Sequence, residues 1–198
     1  MKETSEKQYR NGQSFGARLS RGILNLFGWK VTACEPPAKA VIIIAPHTSN
    51  WDFLIGILGK WDKNLDLKFL SKDSLLRGPL GWWFKYVGAV AVDRNAAHGL
   101  VQQVVNEFKQ KEHFLLAIAP EGTRKFTPHW KSGFYRIALA AKVPIGLATI
   151  DVRKKEIRLE NYYMPSGDEA VDMAYIRKMY SVANGFKPLN ESTIRLAD

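Results

Sequence analysis

The sequence predicts an α/β fold: a mainly parallel sheet flanked by helices, forming a single domain with an N-terminal amphipathic helix. Three observations carry that expectation. Short apolar runs, such as Val41-Ile42-Ile43-Ile44-Ala45 and Phe114-Leu115-Leu116-Ala117-Ile118, have the length of strands buried on both faces. Between such runs lie longer segments whose apolar residues recur at helical spacing. The two kinds of segment alternate along the chain, and polar clusters follow several of the strands.

Residues 1–13 read as a polar arm, and residues 14–28 as an amphipathic helix. On its wheel Phe15, Leu19, Ile23, Leu24, Leu26 and Phe27 sweep one half, with Ser14, Arg18, Arg21 and Asn25 opposite. Such a helix suits a membrane interface, or it packs on its own domain. At about 1.5 Å per residue it is about 22 Å long, too short to span a bilayer. Strands are expected at 30–34, 40–45, 67–70, 88–92, 113–118, 145–151 and 156–161. Helices are expected at 50–62, 73–86, 95–111, 129–142 and 169–184. Within the second of these, Trp82, Trp83, Phe84 and Tyr86 beside Arg77 and Lys85 suit a bilayer interface, or close the core or line an acyl groove. The stretch 185–198 is polar and shows no pattern.

A chain of 198 residues, 46% of them hydrophobic, can bury one substantial core and is neither disordered nor a disulfide scaffold. The single Cys34 forms no internal bridge, reads as a buried inert thiol, and leaves no cysteine pair for zinc. The net charge of +10 calls for an acidic partner. Nucleic acid is not expected, because the basic residues are scattered and no recognition motif accompanies them. Met1 to Arg10 is too polar for a secretory signal.

The chemistry concentrates at strand ends. The run 41–45 leads through Pro46 into His47-Thr48-Ser49-Asn50-Trp51-Asp52. A histidine with a carboxylate five residues on can serve as a general base whose partner fixes the tautomer and stabilises the imidazolium. The plainer reading is a helix start capped by Ser49 or Asn50. Three more blocks follow: Gly88 to Asp93-Arg94, then Pro120-Glu121-Gly122-Thr123-Arg124, then Val143-Pro144-Ile145. Each adjoins a predicted strand, so all are expected to converge on one edge of the sheet. Arg94 and Arg124 can offer planar forks to phosphate oxygens. Gly122 lets backbone approach a ligand, Thr123 can donate a hydroxyl, and Glu121 can hold an arginine or an acceptor hydroxyl. Acyl transfer to a phosphate-bearing alcohol is the chemistry that these residues suggest.

The ordered set resembles the glycerolipid acyltransferase family, whose members include 1-acyl-glycerol-3-phosphate acyltransferases. The resemblance spans residues 40–150, and Lys131-Ser132-Gly133 matches a further Lys-x-Gly feature. Departures are Ala119 where the family usually has Phe, Gly146 where a second proline is usual, and Ala91-Val92 in place of Phe-Ile. The resemblance implies residues 31–198 as the acyltransferase domain, after residues 1–30 as arm and membrane-interface anchor. It implies acyl-CoA or acyl carrier protein as donor, and a lysophospholipid or related phosphate-bearing acceptor. His47 would be the base, Asp52 its partner, and Arg94, Glu121, Gly122, Thr123 and Arg124 the acceptor-binding set. The Val143 block would help shape the acyl site. No cofactor and no metal are implied. A peripheral place on the cytoplasmic side, against an anionic membrane surface, is expected. Backbone amides at the start of the 50–62 helix are candidate oxyanion donors. Thioester hydrolysis, or lipid binding without catalysis on the same fold, remain open as alternatives.

Overall fold

The computed structural model describes residues 14–92, 99–181 and 183–196. In chain order the elements are α1 (Phe15–Leu26), β1 (Lys30–Ala33), β2 (Lys39–Ala45), α2 (Asn50–Asp62), β3 (Leu67–Lys72), α3 (Asp73–Arg77), α4 (Gly81–Tyr86) and β4 (Ala89–Val92). They continue with α5 (Gly99–Gln110), β5 (Phe114–Ile118), α6 (Gly133–Ala141), β6 (Ile145–Asp151), β7 (Glu156–Tyr163) and α7 (Glu169–Tyr180).

Strand β2 shows why a layered sheet forms. Its side chains alternate between two faces and both sets are apolar. Val41, Ile43 and Ala45 enter one core cluster, Ala40 and Ile42 the other. A strand of this kind needs helices on both sides. On the Val41 face lie Phe108 of α5, Phe134 and Ile137 of α6, and Ile176 and Tyr180 of α7, all buried with Trp130. The other face carries Leu24 of α1 and Ile55 and Leu58 of α2, packed with Trp29 and Ile150.

The sheet order is β1-β7-β6-β2-β5-β3-β4. Strands β6, β2, β5, β3 and β4 are mutually parallel, so the mainly parallel sheet stands as expected. Only β7 and β1 run the other way. The turn at 152–155, with Lys155 at φ +52°, is too short for a crossover, so β7 returns as a hairpin partner of β6.

Several helices differ from their expected bounds. The 73–86 segment is two short helices, because the chain cannot stay helical through Gly78 and Pro79. Its aromatics divide: Trp83 packs edge-on against Phe53 and Phe84, whereas Trp82 and Tyr86 are exposed. The expected 129–142 helix starts only at Gly133, since Trp130 leaves helical geometry to bridge to Leu196. α7 ends at Tyr180 rather than 184. α5 begins at Gly99; the earlier part of the expected helix, with Asp93 and Arg94, lies outside the described residues, as does the arm 1–13. Cys34 is half-buried rather than fully buried, and burial raises its thiol pKa, which disfavours the reactive thiolate.

The orientation of α1 is the least expected feature. It packs against α2 through Ala17, Ser20 and Leu24, and Arg21 Nε lies 2.6 Å from the buried Asp62 carboxylate. Phe15 and Leu26 are 76% and 80% exposed, and Leu19 and Phe27 also face solvent. The helix therefore docks by its small side and leaves most of its bulky apolar half outward. Among the described residues no helix is long and apolar enough to cross a membrane.

Candidate active site

Because β2 and β5 are adjacent and parallel, their C-terminal ends open on the same edge of the sheet. β2 delivers Pro46-His47 there through a cis Ala45–Pro46 peptide, and β5 delivers Ala119-Pro120-Glu121. β3 and β4 end on that edge too, and the residue after β4 leads towards Arg94, outside the described residues. The Val143-Pro144-Ile145 block does not join them. It opens β6, with Pro144 accepting the Val41 N–H at 3.0 Å and Ile145 level with Val41. At about 3.3 Å per residue along β2, that is about 20 Å from His47. Expecting convergence there mistook a strand's start for a strand's end.

His47 and Asp52 meet as their spacing suggests. Nδ1 of His47 lies 3.3 Å from Asp52 Oδ2, with the imidazole 18% exposed and the carboxylate 1%. The same Oδ2 accepts the Thr48 and Ser49 amides, each at 2.7 Å. Ser49 caps α2, and Asp52 at its third position completes a capping box. The plain reading and the catalytic reading of this stretch therefore describe one arrangement. A proton on Nδ1 facing Asp52 makes Nε2 the basic nitrogen. Asp52 Oδ1 is buried with no hydrogen-bond partner among the described residues.

Glu121 sits behind this loop, 2% exposed, and both its oxygens accept the His47 N–H at 3.0 Å. Burial pushes its carboxyl up to about 7; the His47 amide and imidazole oppose the rise, and Asp52 and Glu191 add to it. Gly122 follows at φ +66°, and a Cβ there would lie 2.8 Å from the Lys131 side chain, which crosses it. Lys131 is tied to the block by its own amide, donated to Pro120 at 2.8 Å. Thr123 is half-buried and its Oγ1 accepts the Lys125 amide at 3.3 Å. Arg124 is exposed, and its side chain enters no ion pair among the described residues. The structure thus brings His47, Asp52 and the 121–124 block together.

The expected oxyanion donors are mostly committed. His47 N–H donates to Glu121, Thr48 and Ser49 N–H to Asp52, and Trp51 N–H to Ser49 Oγ. Among the described residues no group of three His, Cys, Asp or Glu side chains could hold a metal ion.

The 185–196 stretch, patternless in sequence, returns to this edge. Lys187 N–H donates to Thr48 Oγ1 at 3.0 Å, and Asn190 Nδ2 donates to the Arg124 carbonyl at 2.9 Å. Contacts made by single hydrogen bonds leave no periodicity to find; Gly185 and Pro188 are the turn signals the stretch carries.

Comparison with known proteins bears on the family and the fold. The family model described as Acyltransferase matches residues 30–150. The chain is 32% identical over 163 residues to 1-acyl-sn-glycerol-3-phosphate acyltransferase of Escherichia coli (strain K12), covering 76% of this chain and 64% of that protein. It is 32% identical over 146 residues to the probable 1-acyl-sn-glycerol-3-phosphate acyltransferase of Mycoplasma pneumoniae, covering 67% of this chain and 53% of that protein. The chain thus spans less than two thirds of the length of either relative. The crystal structure of the 1-acyl-sn-glycerophosphate (LPA) acyltransferase PlsC from Thermotoga maritima superposes with a TM-score of 0.55 at 16% identity, covering 83% of this chain and 74% of that one. That likeness bears on the fold.

Proposed function

This chain belongs to the Acyltransferase family, and we propose that it moves a fatty acyl group from a thioester donor to a lysophospholipid hydroxyl, within phospholipid biosynthesis. The donor is acyl-CoA or acyl carrier protein, and the acceptor is 1-acyl-glycerol 3-phosphate or a close relative. The observation that carries the reading is the His47–Asp52 pair, 3.3 Å apart and held by a helix cap beside the 121–124 loop. The names of the relatives support the substrate class.

In the proposed reaction, His47 Nε2 takes the proton of the acceptor hydroxyl as its oxygen attacks the thioester carbonyl. The C–O bond forms, and a tetrahedral oxyanion collapses with cleavage of the C–S bond. The proton held by the imidazolium passes to the departing thiolate. Asp52 holds the ring and stabilises its transient charge, so no covalent enzyme intermediate is needed. Arg124, with Arg94, Gly122 and Thr123, would bind the phosphate-bearing end of the acceptor. Glu121 would act from behind, fixing the His47 backbone.

A peripheral position on the cytoplasmic side of the membrane belongs to the same proposal. The outward Phe15, Leu19, Leu26 and Phe27 of α1 would enter the acyl boundary, and the net charge of +10 favours anionic headgroups.

The test is thiol release from acyl-CoA and acyl carrier protein, with and without lysophospholipid acceptors, on vesicles. Wild type should release thiol only with acceptor, and His47→Ala should lower turnover by at least about 10²-fold without unfolding. Acceptor-independent release would make the protein a thioesterase. Wild-type turnover in folded His47→Ala would refute the base assignment.

A further inference from the structure

The last described stretch spans the two loops that the proposed function puts around substrate. At one end Lys187 N–H is bonded to Thr48 Oγ1, the residue after His47. Gly185 is pressed onto the same loop, where a Cβ would lie 2.7 Å from Thr48 Oγ1 and 3.2 Å from Pro46 Cγ. At the other end Asn190 Nδ2 holds the Arg124 carbonyl. Between them Pro188–Asn190 is one 3-10 turn, stiffened by its proline. Glu191 closes the strap on itself by accepting the Gly185 N–H at 2.8 Å.

We propose that the strap 185–191 forms a third wall of the substrate site and that the Lys187 ammonium contacts a substrate phosphate. Lys187 is exposed, and among the described residues it enters no ion pair. Glu191 of the strap is engaged with the Gly185 amide, Glu121 with that of His47, and Asp52 with those of Thr48 and Ser49. Its backbone is fixed one hydrogen bond from the His47 loop, while a flexible four-carbon stem carries a compact, strongly hydrated charge. That combination suits a phosphate bound as a point charge rather than through a planar fork. Held across from exposed Arg124 by the same strap, it would complete a cationic mouth over the base. The phosphate can be that of the acceptor or that of the donor's carrier; the chemistry is shared.

The inference rests on the acyl-transfer reading, so binding and turnover are read separately. Lys187→Gln and Lys187→Arg are compared with wild type, varying 1-acyl-glycerol 3-phosphate at saturating acyl-CoA and the reverse. Binding of 1-acyl-glycerol 3-phosphate is also measured without donor. Lys187→Gln should raise one KM by about tenfold, the effect of one lost charged contact, with kcat nearly unchanged and Lys187→Arg restoring most of the loss. A rise confined to the acceptor KM assigns the acceptor phosphate, and one confined to the donor KM assigns the carrier's. If neither KM moves, or if kcat collapses and arginine does not rescue it, the inference is overturned while acyl transfer stands. If wild type binds the lysophospholipid without transferring to it, and Lys187→Gln weakens that binding, the strap inference stands and the acyl-transfer reading fails. A wild type that neither transfers nor binds overturns both.

Discussion

Replacing Glu121 with glutamine tests the one acid that the fold buries directly behind His47. Its carboxyl ordinarily titrates near 4.5 and is pushed up to about 7 here, chiefly by burial. The folded protein therefore holds this proton to higher pH than the unfolded chain does. Between about 4.5 and 7 the folded state binds more protons, so this contribution to stability is complete below 4.5 and is lost as pH rises through 7. At 1.36 kcal/mol for each tenfold change, the whole window amounts to about 3 kcal/mol, most of which falls between about pH 5 and pH 8. Glutamine keeps the size and an oxygen for the His47 amide, and it does not titrate. Denaturant unfolding of both proteins at the two pH values separates the effect from that of titrating groups away from Glu121, which contribute alike to each. The variant should gain about 2–3 kcal/mol on wild type between pH 5 and pH 8. A stability gap that does not change with pH would refute the assignment of a raised, buried carboxyl.

Two further substitutions separate packing from chemistry. Asp52→Asn should lower turnover by at least about 10²-fold through misorientation of His47, and destabilise by about 1–2 kcal/mol through loss of the capping box. Paired kinetics and denaturation check it, and full turnover would remove Asp52 from the mechanism. Phe15→Ser with Leu26→Ser should change stability by no more than about 1 kcal/mol in total, since both side chains are exposed. The pair should nevertheless reduce co-sedimentation with anionic vesicles, and unchanged retention would exclude this face of α1 as the membrane contact.

What the sequence made legible was whatever depends on near neighbours. The run 41–45 announces a doubly covered strand, and Ser49 with Asp52 announces a capped helix start two residues after His47. What it hid depends on which surface is covered. A helical wheel groups Phe15, Leu19, Leu26 and Phe27 on one side of α1, but it does not say that Ala17 and Ser20 let the other side approach α2 closely. Motif order likewise concealed that Val143-Pro144-Ile145 opens its strand while the 121–124 block follows one, which puts them at opposite edges. Glu121 was legible as a polar residue after a strand, yet its place beneath the His47 amide needs two strands in register. The strap 185–191 was invisible, because its hold on Thr48 and Arg124 consists of single hydrogen bonds rather than a repeating face.

These anchors together suggest why the imidazole can be both precise and free. The backbone of His47 is held by Glu121, the next two amides by Asp52, and the Thr48 hydroxyl accepts from Lys187. Three separate segments fix the loop, and Nδ1 of the ring faces Asp52, so the proposed proton transfer would need little reorganisation. The charges are layered accordingly. Asp52 lies buried against Nδ1 of the ring, where its negative charge would favour the imidazolium of the proposed step, and Glu121, its carboxyl pushed up to about 7, lies buried behind the His47 amide. Arg124, Lys131 and Lys187 lie exposed on the segments around the His47 loop, where positive charge would attract the anionic lipid of the proposal. Reversing the layers would weaken both steps: cations beneath would suppress the base, and carboxylates at the rim would repel the substrate. The burial of the acids and the exposure of the bases are thus one electrostatic arrangement serving the proposed transfer.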